Sequence, residues 1–186
     1  TIIDLTLNLG WDFKKHKILL KNLIKYIEIF TSFPGYVASG LIIPLTLATC
    51  YEVFARYVLG NPTIWAYEFG YLLMGFHFLL GGALTLKKQE HIRIDIFYNR
   101  LSDKKKSIID LIFYIIFIIP CLSVLSFKLF QHTGNSFQSG ESTGNSAWNP
   151  PLWPMHFVMF VSFFILFLQS LAECFKSLLR LNERTN

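Results

Sequence analysis

The chain has 186 residues and a formal net charge of +5; 53% are hydrophobic, 17% aromatic and only 16% charged, against about 25% charged in soluble domains. The apolar residues, nineteen Phe among them, come in blocks of about twenty, the length that crosses a bilayer. That pattern excludes an ordinary soluble core, and it excludes nucleic acid as the partner of the basic residues, which sit between apolar blocks and mark a membrane face instead.

In chain order, the first element is the segment 11–31. Lys14, Lys17, Lys21, Lys25 and Glu28 recur at threes and fours, so at about 100° per residue they share one stripe. Leu19, Leu23, Tyr26 and Phe30 fall opposite. The spacing predicts an amphipathic helix lying flat on the cytoplasmic membrane surface, with Lys14, Lys17, Lys21 and Lys25 toward lipid headgroups. Spans are expected near 33–59, 65–86, 108–130 and 153–175, each helical because lipid offers no partner to a bare peptide group. Asn61-Pro62 is expected to open the second span, Ser102-Asp103 to cap the third, and Asn149-Pro150-Pro151 to break the chain before the fourth. Pro44 and Pro120 are expected to kink the first and third spans.

Orientation follows from the short connections. Lysines precede the first span, and Lys87, Lys88, Arg93, Arg100, Lys104, Lys105 and Lys106 lie between the second and third. Lys176, Arg180 and Arg184 follow the fourth, while 60–64 and 131–152 carry no Lys or Arg. By the positive-inside rule both termini and the middle connection are cytoplasmic. The expected fold is therefore an all-α membrane protein, one domain over 1–186, with four transmembrane helices behind an interfacial helix. No cleavable leader is expected, because the first apolar block starts late and runs too long for one. The Ser-, Gly- and Asn-rich stretch 131–149 reads as a flexible outer loop, with Trp148 and Trp153 as interfacial anchors.

Ionisable groups inside a span are the functional candidates. Glu52 and Arg56 form a favourable pair at i, i+4, and Glu68, one turn into the second span, is expected to approach Arg56 in a polar lock. His77 stands mid-span and reads as a hydrogen-bonding packing residue. His132 and His156 read as mismatched in depth, which leaves no haem pair. Gly75, Gly81, Gly82 and Ala83 make one face of the second span small, suited to close helix approach. Cys50, Cys121 and Cys174 read as buried free thiols. No catalytic, cofactor-binding or metal-ligating set emerges, and the chain reads as an accessory subunit rather than an enzyme.

The stretch "YEVFARYVLGNPTIWAYEFGYLLMGFHFLLGGALTLKKQEHIRIDIF", residues 51–97, resembles the small membrane (Q) subunit of tripartite ATP-independent periplasmic (TRAP) transporters. The resemblance is carried by Arg56-Tyr57, Pro62, Trp65, Glu68, the run 81–83, Lys87-Lys88 and the segment 90–95. It implies a non-enzymatic inner-membrane protein that braces the scaffold of a large membrane (M) subunit. It also implies a periplasmic substrate-binding (P) protein that delivers an organic acid, with uptake driven by sodium. On that resemblance Glu52, Arg56, Trp65, Glu68, Gly81, Gly82, His91, Arg93 and Asp95 are candidates for the partner interface or for structure. The alternative is a small homodimeric four-helix proton-coupled exporter using Glu52 or Glu68.

Overall fold

The computed structural model describes residues 2–88 and 102–183, with side chains placed for 18–88, 102 and 105–181. The helices are α1 (Ile2–Gly40), α2 (Ile42–Tyr57), α3 (Ala66–Lys87), α4 (Asp103–Phe113), α5 (Ile119–Ser139) and α6 (Trp153–Glu183), with a π-helical turn, Tyr114–Ile118, between α4 and α5. There is no strand among the described residues; the only β feature is one isolated bridge, Ser142 to Pro151. Four stretches are long and apolar enough to cross a membrane: Ile18–Tyr57, Ala66–Lys87, Lys105–Ser139 and Trp153–Leu181. This is an all-α membrane protein.

Instead of a separate surface helix followed by a span, the N-terminal segment is one unbroken helix that passes through Pro34 and stops at Gly40. The stretch Ile18–Tyr57 holds 40 residues, about 60 Å at 1.5 Å per residue, twice a hydrocarbon layer of about 30 Å. It is too long for one upright crossing. The interruption falls at Leu41, where the amide turns back to Ala38 O at 3.1 Å and Val37 O at 3.3 Å. Pro44 explains the place. It has no N–H for the Gly40 carbonyl and its ring crowds that carbonyl, so the helix restarts with Pro44 inside its first turn, where no amide is needed.

Pro120 acts in the same way in the third crossing. It deprives the Ile116 carbonyl of a donor, and the five-residue π turn just before it takes up the misfit. The helix of this crossing does not stop near residue 130. Helix α5 runs on to Ser139 and closes at Gly140, whose φ of +65° gives the left-handed cap.

Helix α6 is the core of the bundle. Of its most apolar window 39% is buried, against 11–17% for the other three crossings, and it packs against α1, α3, α4 and α5. Ala172, Gln169 and Ser170 on it are fully enclosed. The seams between helices are lined by small and polar side chains, among them Ala38, Ala55, Ala83, Thr31 and Ser136, while Phe78, Tyr57, Tyr67 and Tyr26 are at least 74% exposed. In lipid this arrangement is the stable one. Tails are as apolar as Phe, so burying Phe gains little, whereas close backbone approach and hydrogen bonds between helices gain more.

Helices α1 and α3 approach closely at Gly35. A Cβ placed on Gly35 would stand 2.5 Å from Leu84 Cβ. The glycines singled out on α3 do not serve that purpose inside the chain: a Cβ on Gly75, Gly81 or Gly82 meets nothing within 4 Å. Helices α5 and α6 are zipped antiparallel by rings, Phe137 to Trp153 at 5.6 Å, His132 to His156 at 4.2 Å and Phe130 to Phe160 at 5.3 Å.

Gly35→Val is expected to push α1 off α3 and cost about 1–3 kcal/mol, read as a lowered melting temperature in detergent, with Gly82→Val as the neutral control.

Candidate functional site

The densest polar constellation joins α1, α3 and α6 at the end of the bundle opposite the 140–152 connection. From α1, the Thr31 hydroxyl donates to Gln169 Oε1 at 2.5 Å. Gln169 Nε2 then donates to Glu173 Oε1 at 3.2 Å, which also pairs with Lys176 Nζ at 2.6 Å. Lys176 reaches back to α1 and pairs with Glu28 Oε1. From α3, Lys87 Nζ donates to Ser32 Oγ at 2.8 Å and to the Glu28 carbonyl at 3.3 Å, with Glu28 Oε2 at 3.9 Å. Among the described side chains two carboxylates face two ammonium groups here, and Glu173 is only 4% exposed. Buried charge of this kind persists only when paired and hydrogen-bonded.

Sequence reading missed this set. Glu28 lay in a stripe expected to face water, and Lys87 and Lys176 stood in segments expected to be cytoplasmic and basic. The available clue was Glu173, with Gln169 and Lys176 one turn away on the same helix face, inside an otherwise apolar run. Glu28, Thr31 and Ser32 point inward, which is why α1 continues past residue 31 as a packed helix.

At the other end Glu52 closes the turn between α2 and α3. Its Oε1 accepts from Arg56 Nη2 at 2.6 Å, and its Oε2 accepts from the Thr63 amide at 2.9 Å and from the Thr63 hydroxyl. Tyr51 and Trp65 stack across the same turn, 6.3 Å between centroids. Asn61-Pro62 does not start α3; it lies in the connection, where Gly60 at φ +66° lets the Asn61 amide bond the Ala55 carbonyl at 3.0 Å. The helix begins at Ala66, behind Trp65.

Glu68 does not meet Arg56. It is 4% exposed, and its Oε1 accepts from the Thr143 hydroxyl at 2.9 Å while Oε2 is buried without a partner. The lock therefore joins α3 to the 140–152 connection. That connection is an ordered strap rather than a flexible loop. Thr143 N bonds Pro150 O at 3.1 Å, Leu152 N bonds Glu141 O at 2.9 Å, and Gly144 N bonds Asn149 Oδ1 at 2.7 Å. Because α5 extends to Ser139, His132 and His156 come to the same depth, their rings 4.2 Å apart.

His77 bonds the Ala38 carbonyl through Nδ1 at 2.7 Å. Gly81 and Gly82 are half-buried, and Lys21 and Lys25 lie exposed on α1. Cys174 is buried, but Cys50 and Cys121 face outward, because a thiol on a lipid-facing stripe needs no enclosure. The side chains of Lys14 and Lys17, and all of His91, Arg93 and Asp95, lie outside the described residues. No group of three metal-ligating side chains occurs among the described residues.

Four apolar crossings sealed by small and polar seams define a multi-pass membrane protein. The family model "Tripartite ATP-independent periplasmic transporters, DctQ component" matches residues 45–180, well over half of the chain. The chain belongs to this family, the small membrane subunits of TRAP transporters, and is a multi-pass protein of the inner membrane. It is similar to the sialic acid TRAP transporter small permease protein SiaQ of Vibrio cholerae, 26% identical over 88 residues. That match covers 47% of this chain and 47% of the relative, about half the length of each.

Lys176→Met leaves Glu28 and Glu173 without their shared cation; a loss of about 3 kcal/mol is expected, checked by denaturation of the purified protein in detergent. Thr143→Val leaves both Glu68 oxygens bare at a cost of about 1–3 kcal/mol, with faster protease cleavage within 140–152 as the local readout.

Proposed function

We propose that the chain is the immobile brace of a TRAP transporter, holding the scaffold of the large membrane subunit while that subunit moves the solute. A periplasmic binding protein delivers an organic acid, and sodium drives the uptake. The observation that carries this reading is the DctQ-component match over residues 45–180. Sialic acid, named for the Vibrio cholerae relative, is itself a carboxylate sugar and supports an acidic solute. The geometry agrees with a brace. Polar groups are spent inside the bundle, binding α1, α3 and α6 into one unit, and the outer faces of α2, α3 and α5 present large apolar side chains. With both termini and 88–102 cytoplasmic, the strap faces the periplasm, and the exposed Lys21 and Lys25 lie at the headgroups. In this reading His91, Arg93 and Asp95 are the candidates for hydrogen bonds to the large subunit or to lipid headgroups at the cytoplasmic edge.

The exporter alternative needs Glu52 or Glu68 to load protons from a path. Glu52 has both oxygens engaged by Arg56 and Thr63, which disfavours it in that role.

The test is uptake into vesicles holding the large subunit alone, this chain alone, or both, with the binding protein and a sodium gradient supplied. Uptake is expected only with both, and is expected to fall when His91→Ala, Arg93→Ala and Asp95→Ala are combined. Accumulation by this chain alone, or full uptake without it, overturns the reading.

A further inference from the structure

His77 is the twelfth of 22 residues in α3, counting from Ala66, which sets it near the middle of the apolar layer. Its Nδ1 lies 2.7 Å from the Ala38 carbonyl oxygen. A carbonyl only accepts, so in the neutral ring Nδ1 carries the proton and Nε2 is left as an acceptor. No described group bonds Nε2. Nor is it one of the enclosed polar atoms without partners, which are Glu68 Oε2, Ser126 Oγ, Ser136 Oγ and His156 Nδ1. The ring is half-buried, so Nε2 opens onto the outer surface of the bundle.

An acceptor at that depth has no partner in lipid. Acyl tails carry no donor, and water is absent from the hydrocarbon layer. One turn further along α3, on the same face, is Gly81, where an added Cβ would meet nothing within 4 Å. Met74, one turn the other way, is 65% exposed. The chain's own helices leave this face open, and the glycine lets another backbone come close enough for a short side chain to reach the imidazole.

We propose that the His77–Gly81 face of α3 seats one transmembrane helix of the large subunit, and that this helix carries a neutral hydrogen-bond donor at mid-bilayer depth for His77 Nε2. The donor is a hydroxyl, a side-chain amide or an indole N–H, because a cation at that depth is costly. Helix α3 then holds both partners through one ring: Nδ1 fastens it to the end of α1, and Nε2 fastens the bundle to its neighbour. This rests on the reading of the chain as a subunit docked on a larger membrane partner.

The experiment is co-purification of the tagged large subunit with wild type, His77→Asn and Gly81→Leu, alongside the melting temperature of each form of this chain alone. Asn keeps an N–H near the position of Nδ1 and drops Nε2; Leu at 81 adds bulk where a Cβ meets nothing within 4 Å of the chain's own helices. Both variants are expected to melt like wild type and to retain the large subunit about threefold to tenfold less well. Undiminished retention by both variants overturns the proposal while leaving the subunit reading intact. If His77→Asn also destabilises the chain alone, Gly81→Leu decides. Wild type that fails to retain the large subunit sinks the subunit reading, and the proposal with it. Self-association of the purified chain that His77→Asn abolishes assigns the face to a second copy and also overturns the proposal.

Discussion

The ion pair between Glu28 on α1 and Lys176 on α6 is the interaction on which the rest of the bundle depends. An unpaired ammonium or carboxylate at the edge of an apolar layer is among the costliest states a side chain can occupy. Once Lys176 is committed to Glu28 and Glu173, the rotation of α6 and the lateral position of α1 are set together. Thr31 and Gln169 then fall opposite one another, Ser32 receives Lys87, and α3 is drawn to α1 closely enough that only glycine fits at position 35. Apolar contacts alone would leave α1 free to rotate, since lipid and neighbouring helices are nearly equivalent solvents for Phe and Leu.

The opposite end is held by different means. Glu52 and Thr63 tie α2 to the start of α3, and Thr143 ties the strap to Glu68. The strap folds back through backbone bonds of its own and needs left-handed residues at Gly140, Gly144 and Asn149 to do so. Polar fastening at both ends holds the helices in register, which agrees with the proposed brace. The large side chains are left outside, available to lipid or to a partner.

Two prolines show how local chemistry is absorbed by the fold. The first long helical stretch breaks three residues before Pro44, whose missing N–H removes the usual donor to the Gly40 carbonyl. Pro34 lies inside unbroken α1, beside the stretch fastened to α3 and α6 by Glu28, Thr31 and Ser32. Pro120 sits between these cases: its crossing stays helical, with a π turn just before it.

Four crossings, an all-helical fold and the family resemblance could be read from the sequence because they depend on the length of apolar runs, on basic residues between them and on a local motif, all of which are one-dimensional. The i, i+4 pair of Glu52 and Arg56 and the hydrogen-bonding role of His77 were legible for the same reason. The Glu28–Lys176 pair, the partner of Glu68, the depth of His132 against His156, the order of the strap and the tight seat of Gly35 were not. Each is a relation between helices whose rotation and register no single helix specifies. Polar side chains in lipid choose one another only once the helices are side by side, and that choice is made by tertiary packing.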